Sequence, residues 1–108
     1  MNEELNSLIT ALREELTQYG EVLALMQEQQ QFIINRSANE LLLNLNVVNE
    51  QMEKVSVARN HREACRRALV ATLNATEETT FRQMTEMLSP EVQPLLNALV
   101  EEINQLLQ

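Results

Sequence analysis

Leu5, Leu8, Leu12, Leu16, Tyr19, Leu23, Met26, Gln30 and Ile33 recur at alternating steps of three and four. That 3.5-residue period, held for four heptads, predicts one uninterrupted helix over residues 3–34 with a nearly straight apolar seam. A second, partial stripe (Ile9, Val22, Leu25, Phe32) widens the face beyond what one partner helix needs, so the helix is expected to meet more than one neighbour. Gly20 interrupts the pattern at a cost of about 1 kcal/mol relative to Ala. It reads as a tolerated glycine rather than a bend. Turn formers are scarce across the whole chain of 108 residues: one Gly, two Pro and no Asp, all sixteen acids being Glu. A sandwich, a barrel or an alternating α/β fold needs more punctuation than this. The expectation is a single all-α domain over residues 1–108.

The first helix stops at Asn35-Arg36, and Ser37 with Glu40 has capping-box spacing for a second helix over 38–73. Leu41, Leu45, Val48, Met52 and Val55 carry its stripe, which resumes at Leu69 and Leu73. So short a connection between two helices of about 30 residues forces an antiparallel hairpin with arms about 45 Å long. Residues 74–80 are polar. Phe81, Met84 and Leu88 mark a short helix over 79–88, and Ser89-Pro90-Glu91 reads as the start of a last helix over 90–107. The expected architecture is a long antiparallel hairpin with a third, amphipathic C-terminal helix, either a three-helix bundle or an elongated hairpin plus helix.

Arg59, Arg62 and Arg66 occupy in-phase positions of the second stripe, with Lys54 and Arg67 beside them. Folding the hairpin brings them against the half of the first helix that carries Glu3, Glu4, Glu14 and Glu15. Ion pairing between the helices is the favoured reading, since opposite charges are already at hand; an anion or partner site is the other. The net charge of −8 argues against nucleic acid and against anionic lipid as partners. No apolar run reaches the length of a membrane-spanning helix. Met1-Asn2-Glu3-Glu4-Leu5 lacks the pattern of a signal peptide, and Cys65 has no cysteine to pair with. A cytosolic protein is expected.

Catalytic chemistry finds no foothold. His61 and Cys65 lie four apart, two side chains where a metal site needs three or four. Neighbouring carboxylates such as Glu14-Glu15 and Glu101-Glu102 diverge by about 100° on a helix. No glycine loop exists to cradle phosphate. No enzyme, metal or cofactor is expected. What remains is apolar surface. The last helix carries Val92, Leu95, Leu96, Leu99, Val100, Ile103, Leu106 and Leu107, a stripe wider than one contact needs. One reading makes it core; the other makes part of it a surface for a partner's amphipathic helix.

From Leu5 to Leu73 the chain resembles the FlgN family of flagellar type III export chaperones. The resemblance is carried by Glu21-Val22-Leu23-Ala24-Leu25, the Gln/Glu-rich segment before Ser37, Glu40-Leu41, Asn49-Glu50-Gln51-Met52 and Ala58-Arg59 with Arg62. Met84–Leu88, Ser89-Pro90 and the amphipathic last helix fit the same pattern. The resemblance implies a cytoplasmic chaperone that covers the amphipathic terminal segments of the hook-associated proteins FlgK and FlgL and delivers them to the export gate protein FlhA. It places the substrate surface on the eight last-helix aliphatics. A structural coiled coil that oligomerises through the first helix is the alternative.

Overall fold

The computed structural model describes residues 2–107, all of whose regular structure is helical. Helix α1 (Asn2–Ile34) and helix α2 (Ala38–Thr72) form the antiparallel hairpin that the periodicity predicts. The molecule is a rod of 55 × 22 × 21 Å.

The hairpin turn is made by backbone rather than by a side-chain cap. The Ser37 N–H donates to the Phe32 carbonyl (2.9 Å) and the Arg36 N–H to that of Ile33 (3.2 Å). Together these bonds close a Schellman motif. Arg36 takes the left-handed position, φ 54°, that glycine usually fills. The expected Ser37–Glu40 capping box is absent: Ser37 is the N-cap of α2 but its side chain accepts no capping bond. The same backbone motif ends α2, with Asn74 at φ 57° and the Ala75 N–H donating to the Val70 carbonyl (3.1 Å).

Helix α3 (Phe81–Glu86) is shorter than the 79–88 expected from sequence. Its start is set by a capping box on Thr80, whose Oγ1 accepts from the Gln83 N–H (3.1 Å) while Gln83 Oε1 accepts from the Thr80 N–H (3.0 Å). Helix α4 (Gln93–Leu106) begins at Gln93, not at Pro90. The reason is Pro94. In a helix begun at Pro90 it would stand where an N–H must reach back to the first carbonyl, and proline has none. In the first turn of α4 the lost donor costs nothing. Ser89-Pro90-Glu91 instead forms a turn, closed by the Val92 N–H on the Ser89 carbonyl (3.0 Å).

Helix α1 packs against both α2 and α4. The core sits in the half of the rod that α4 covers. Leu8, Leu12 and Tyr19 of α1 meet Val55 and Leu69 of α2, Met84 of α3, and Leu96, Leu99 and Ile103 of α4. Towards the hairpin turn the seam thins to Val48 and two buried amides. Asn44 Nδ2 donates to the Leu25 carbonyl (3.1 Å), and Gln51 Nε2 to the Gln18 carbonyl (3.1 Å) and Gln18 Oε1 (2.6 Å). A one-turn slip would strand these polar atoms without partners, so they hold the register of the hairpin.

Candidate protein-docking surfaces

Helix α4 runs parallel to α1, its residues Val100, Ile103 and Leu107 passing Leu12 and Tyr19 and its end reaching Val22, Leu23 and Met26. Positions 96, 99 and 103 follow helical spacing, and the structure turns Leu96, Leu99 and Ile103 inward as core. Of the eight aliphatics expected on the substrate surface, these three follow the other reading of the stripe, as core. Val92, Val100 and Leu106 are half-buried at the edge of the core. Leu95 (38% exposed) and Leu107 (53%) stand in solvent. The stripe is thus divided: its middle holds the helix down, and Leu95 and Leu107, about 120° apart around the helix, stand exposed on its two edges.

On its far side α4 does not close on α2. A crevice of about 350 Å³ lies between them, bordered by Glu15, Arg59, Arg62 and Asn104 as well as by aliphatics. Two arginines of the second stripe, Arg59 and Arg62, border it with different partners. Arg62 Nε donates to Glu15 Oε1 (2.8 Å) across the hairpin, the interhelical ion pair expected of this stretch. Arg59 Nε donates to the Tyr19 hydroxyl (2.7 Å), which donates to Glu15 Oε2 (3.0 Å). Burial pushes the Tyr19 pKa up, against the pull of Arg59. Arg66 turns instead to Glu63 on its own helix (Nε to Oε1, 3.0 Å) and to the Thr79 carbonyl (3.2 Å), fastening the polar 73–80 connection to α2. Arg67, largely exposed, stands 3.8 Å from Glu63. The hydrogen bond from Arg66 holds the Glu63 carboxyl below its ordinary pKa. These bonds occupy the guanidinium groups structurally.

His61 Nε2 lies 3.8 Å from Cys65 Sγ. Burial raises the thiol's pKa, the reverse of what a nucleophile needs. Among the described residues no three His, Cys, Asp or Glu side chains gather as metal ligands, and no helix is long and apolar enough to cross a membrane.

A second apolar surface escaped the sequence reading. From the end of α4 toward the turn, the hairpin leaves Leu23, Met26 and Ile33 of α1 and Leu45 and Met52 of α2 partly or largely exposed. The signal was available as arithmetic. A last helix of under 20 residues cannot cover the stripe of one of more than 30.

Two long helices with a third laid over half their length leave apolar surface on both α4 and the bare hairpin. Neither a curated protein nor a solved structure matches the chain. A family model described as FlgN protein matches residues 1–108, its whole length. The chain belongs to the FlgN family, a family of flagellar export chaperones.

Proposed function

We propose that this chain binds hook-associated proteins of the FlgK and FlgL type in the cytoplasm, covers their amphipathic terminal helices, and passes them to the export gate protein FlhA. The observation that carries the reading is the divided stripe of α4, with Leu95 and Leu107 left outside the fold. Unassembled amphipathic segments aggregate through their apolar faces, and a chaperone that lends a matching face suppresses this. Leu95 and Leu107 make first contact, with Val92, Val100 and Leu106 at the border. Leu96, Leu99 and Ile103 join the surface when α4 lifts from α1. Lifting is supported by the one-sided seat of α4, which rests on α1 and α3 and stands off from α2 across the crevice.

Co-purification with FlgK- and FlgL-type proteins tests the reading. Leu95→Glu with Leu107→Glu touches no core residue, so helicity is expected to persist while the complex is lost. Full retention of the complex would remove α4 from the binding surface. A wild-type chain that captures neither protein would overturn the choice of partner. Leu99→Glu with Ile103→Glu is unsuited to the purpose, because both side chains hold the core together.

A further inference from the structure

We propose that the face of the hairpin turned away from α4 docks a basic amphipathic helix, one whose apolar stripe is flanked by Lys or Arg. This goes beyond the function proposed above, which places its partner on α4. Two crevices lie in line along that face, between α1 and α2. The one near the turn, of about 400 Å³, is bordered by Leu25, Glu28 and Phe32 of α1 and by Glu40, Leu43, Asn44 and Val47 of α2. The other, of about 730 Å³, lies farther from the turn, between Glu14 and Gln18 of α1 and the 50–61 stretch of α2. At 100° per residue, Glu14, Gln18, Leu25, Glu28 and Phe32 fall within about 80° of one another around α1. Leu12, Tyr19 and Leu23, which border α4, lie on the opposite side. From Glu14 to Phe32 the rise is about 27 Å, or about five helical turns.

Charge decides the occupant. Glu14, Glu28, Glu40, Glu50 and Glu53 line the two crevices, five carboxylates against the single ammonium of Lys54, with His61 as the other titratable group. None of the five makes an ion pair among the described residues, unlike Glu15 and Glu63, whose carboxylates are held by arginines. Gathered like charges repel, and a cationic partner turns that repulsion into attraction. Leu43 (66% exposed) and Val47 (45%) stand one turn apart on α2 between Glu40 and Glu50, so the face offers apolar contact as well as charge. Asn44 adds a third mark. It is 4% exposed, its Nδ2 is committed to the Leu25 carbonyl, and its Oδ1 is buried with no partner. An orphan acceptor in the wall of the crevice calls for a donor, which Lys and Arg carry and an ionised Glu does not. The groove between two antiparallel helices accepts an apolar helical stripe, and the carboxylates on its rims meet the basic flanks. A second copy of this chain is the wrong occupant. It brings another net charge of −8, and its Arg62 and Arg66 are already paired within the chain.

The test uses the full chain and a fluorescent peptide of about 18 residues, five helical turns, followed by anisotropy. The peptide has Leu at i, i+3, i+4, i+7 spacing and Lys elsewhere. Its controls are the same peptide with Glu for Lys, and one of unchanged composition with the Leu positions scrambled. Saturable binding is expected for the first, none for the second, and binding at least about tenfold weaker for the third. Glu28→Gln with Glu40→Gln should weaken binding at least about tenfold, and Leu43→Ala with Val47→Ala about as much. All four side chains are exposed and Ala favours helix, so circular dichroism should show the fold intact. If helicity falls, Leu43→Gln alone replaces the Ala pair under the same criteria. Glu101→Gln with Glu102→Gln, exposed on α4, removes the same charge elsewhere and should change affinity by less than about twofold. Raising salt from about 0.05 to about 0.5 M should weaken binding at least about tenfold. Failure to bind overturns the proposal. Equal weakening by the two Glu pairs also overturns it, by showing attraction to net charge alone. Indifference to the Leu43 and Val47 substitutions does the same, by placing the peptide elsewhere. A dimer in sedimentation that those substitutions dissolve overturns it too, by seating a second copy on this face.

Discussion

Arg62 reaches across the hairpin to Glu15 at 2.8 Å, and the carboxylate it meets is only 3% exposed whereas the guanidinium is 28% exposed. The arrangement is asymmetric. Removing the acid leaves an arginine that water can still reach, but removing the arginine leaves a buried negative charge with the Tyr19 hydroxyl and the more distant charge of Arg59 against it. Breaking such a pair from the exposed side is expected to cost about 2–4 kcal/mol. Arg62→Met should therefore lower the urea midpoint clearly, and adding Glu15→Leu should restore most of the loss. A single Arg62→Met variant within about 0.5 kcal/mol of wild type would show that the pair does not hold the hairpin.

The divided stripe of α4 predicts opposite responses from adjacent leucines. Leu96 is fully buried, and Leu96→Ala should destabilise by about 2–4 kcal/mol through lost transfer energy and the cavity left behind. Leu95→Ala and Leu107→Ala empty no cavity and should stay under about 1 kcal/mol. Chemical denaturation of the three variants measures this directly. Equal effects at positions 95 and 96 would mean that α4 does not sit on α1 in solution.

Glu63 gives the hairpin a defined acid response. The Arg66 hydrogen bond, with Arg62 and Arg67 close by, holds its carboxyl below the ordinary value of 4.5, against the opposing effect of burial. A depressed carboxyl binds its proton less readily when folded than when unfolded. Its stabilising contribution is therefore complete above pH 4.5 and fades as pH falls through the folded-state value. Glu63→Gln should be less stable than wild type at neutral pH, and the gap should close on acidification. A gap that widened toward acid would contradict the assignment.

The hairpin was legible because it rests on periodicity, which a single sequence displays in full. The bonds that close its ends were not, because they rest on Arg36 and Asn74 in left-handed conformations where the usual glycine signal is missing. Ser37 matched the capping pattern without forming the bond, whereas Thr80 and Gln83 formed both bonds from an equally plain threonine-to-glutamine spacing. Pairing spacing with the position of Pro94 would also have moved the start of α4 to its place. For the candidate surface, the stripe of α4 was visible but its division was not. Which of Leu95 and Leu96 faces inward depends on the direction from which α1 approaches, and that is a tertiary fact. The bare half of the hairpin was hidden by treating each stripe as matched, when the lengths were unequal.

Gly20 lies mid-helix, and a Cβ built there meets nothing within 4 Å. No close approach requires the glycine. Gly20→Ala should stabilise by about 0.5–1 kcal/mol, chiefly by narrowing the unfolded ensemble. A loss of stability on thermal melting would show that the space around Gly20 is filled in solution.

Arg36 offers the complementary case, since there the native residue carries the strain. At φ 54° its Cβ crowds the following carbonyl, a cost of about 1–2 kcal/mol for an ordinary L-residue. Glycine escapes that crowding but returns part of the gain as extra freedom in the unfolded chain. The net expectation for Arg36→Gly is stabilisation by about 0.5–1 kcal/mol, read as a rise of a few degrees in the melting temperature. Asn74 is the internal control. It adopts nearly the same backbone, φ 57°, with a side chain that tolerates it, so Asn74→Gly should gain much less. If Arg36→Gly were neutral or destabilising while Asn74→Gly gained, the turn between α1 and α2 would have to be held by the Arg36 side chain rather than by the backbone bonds from Arg36 and Ser37.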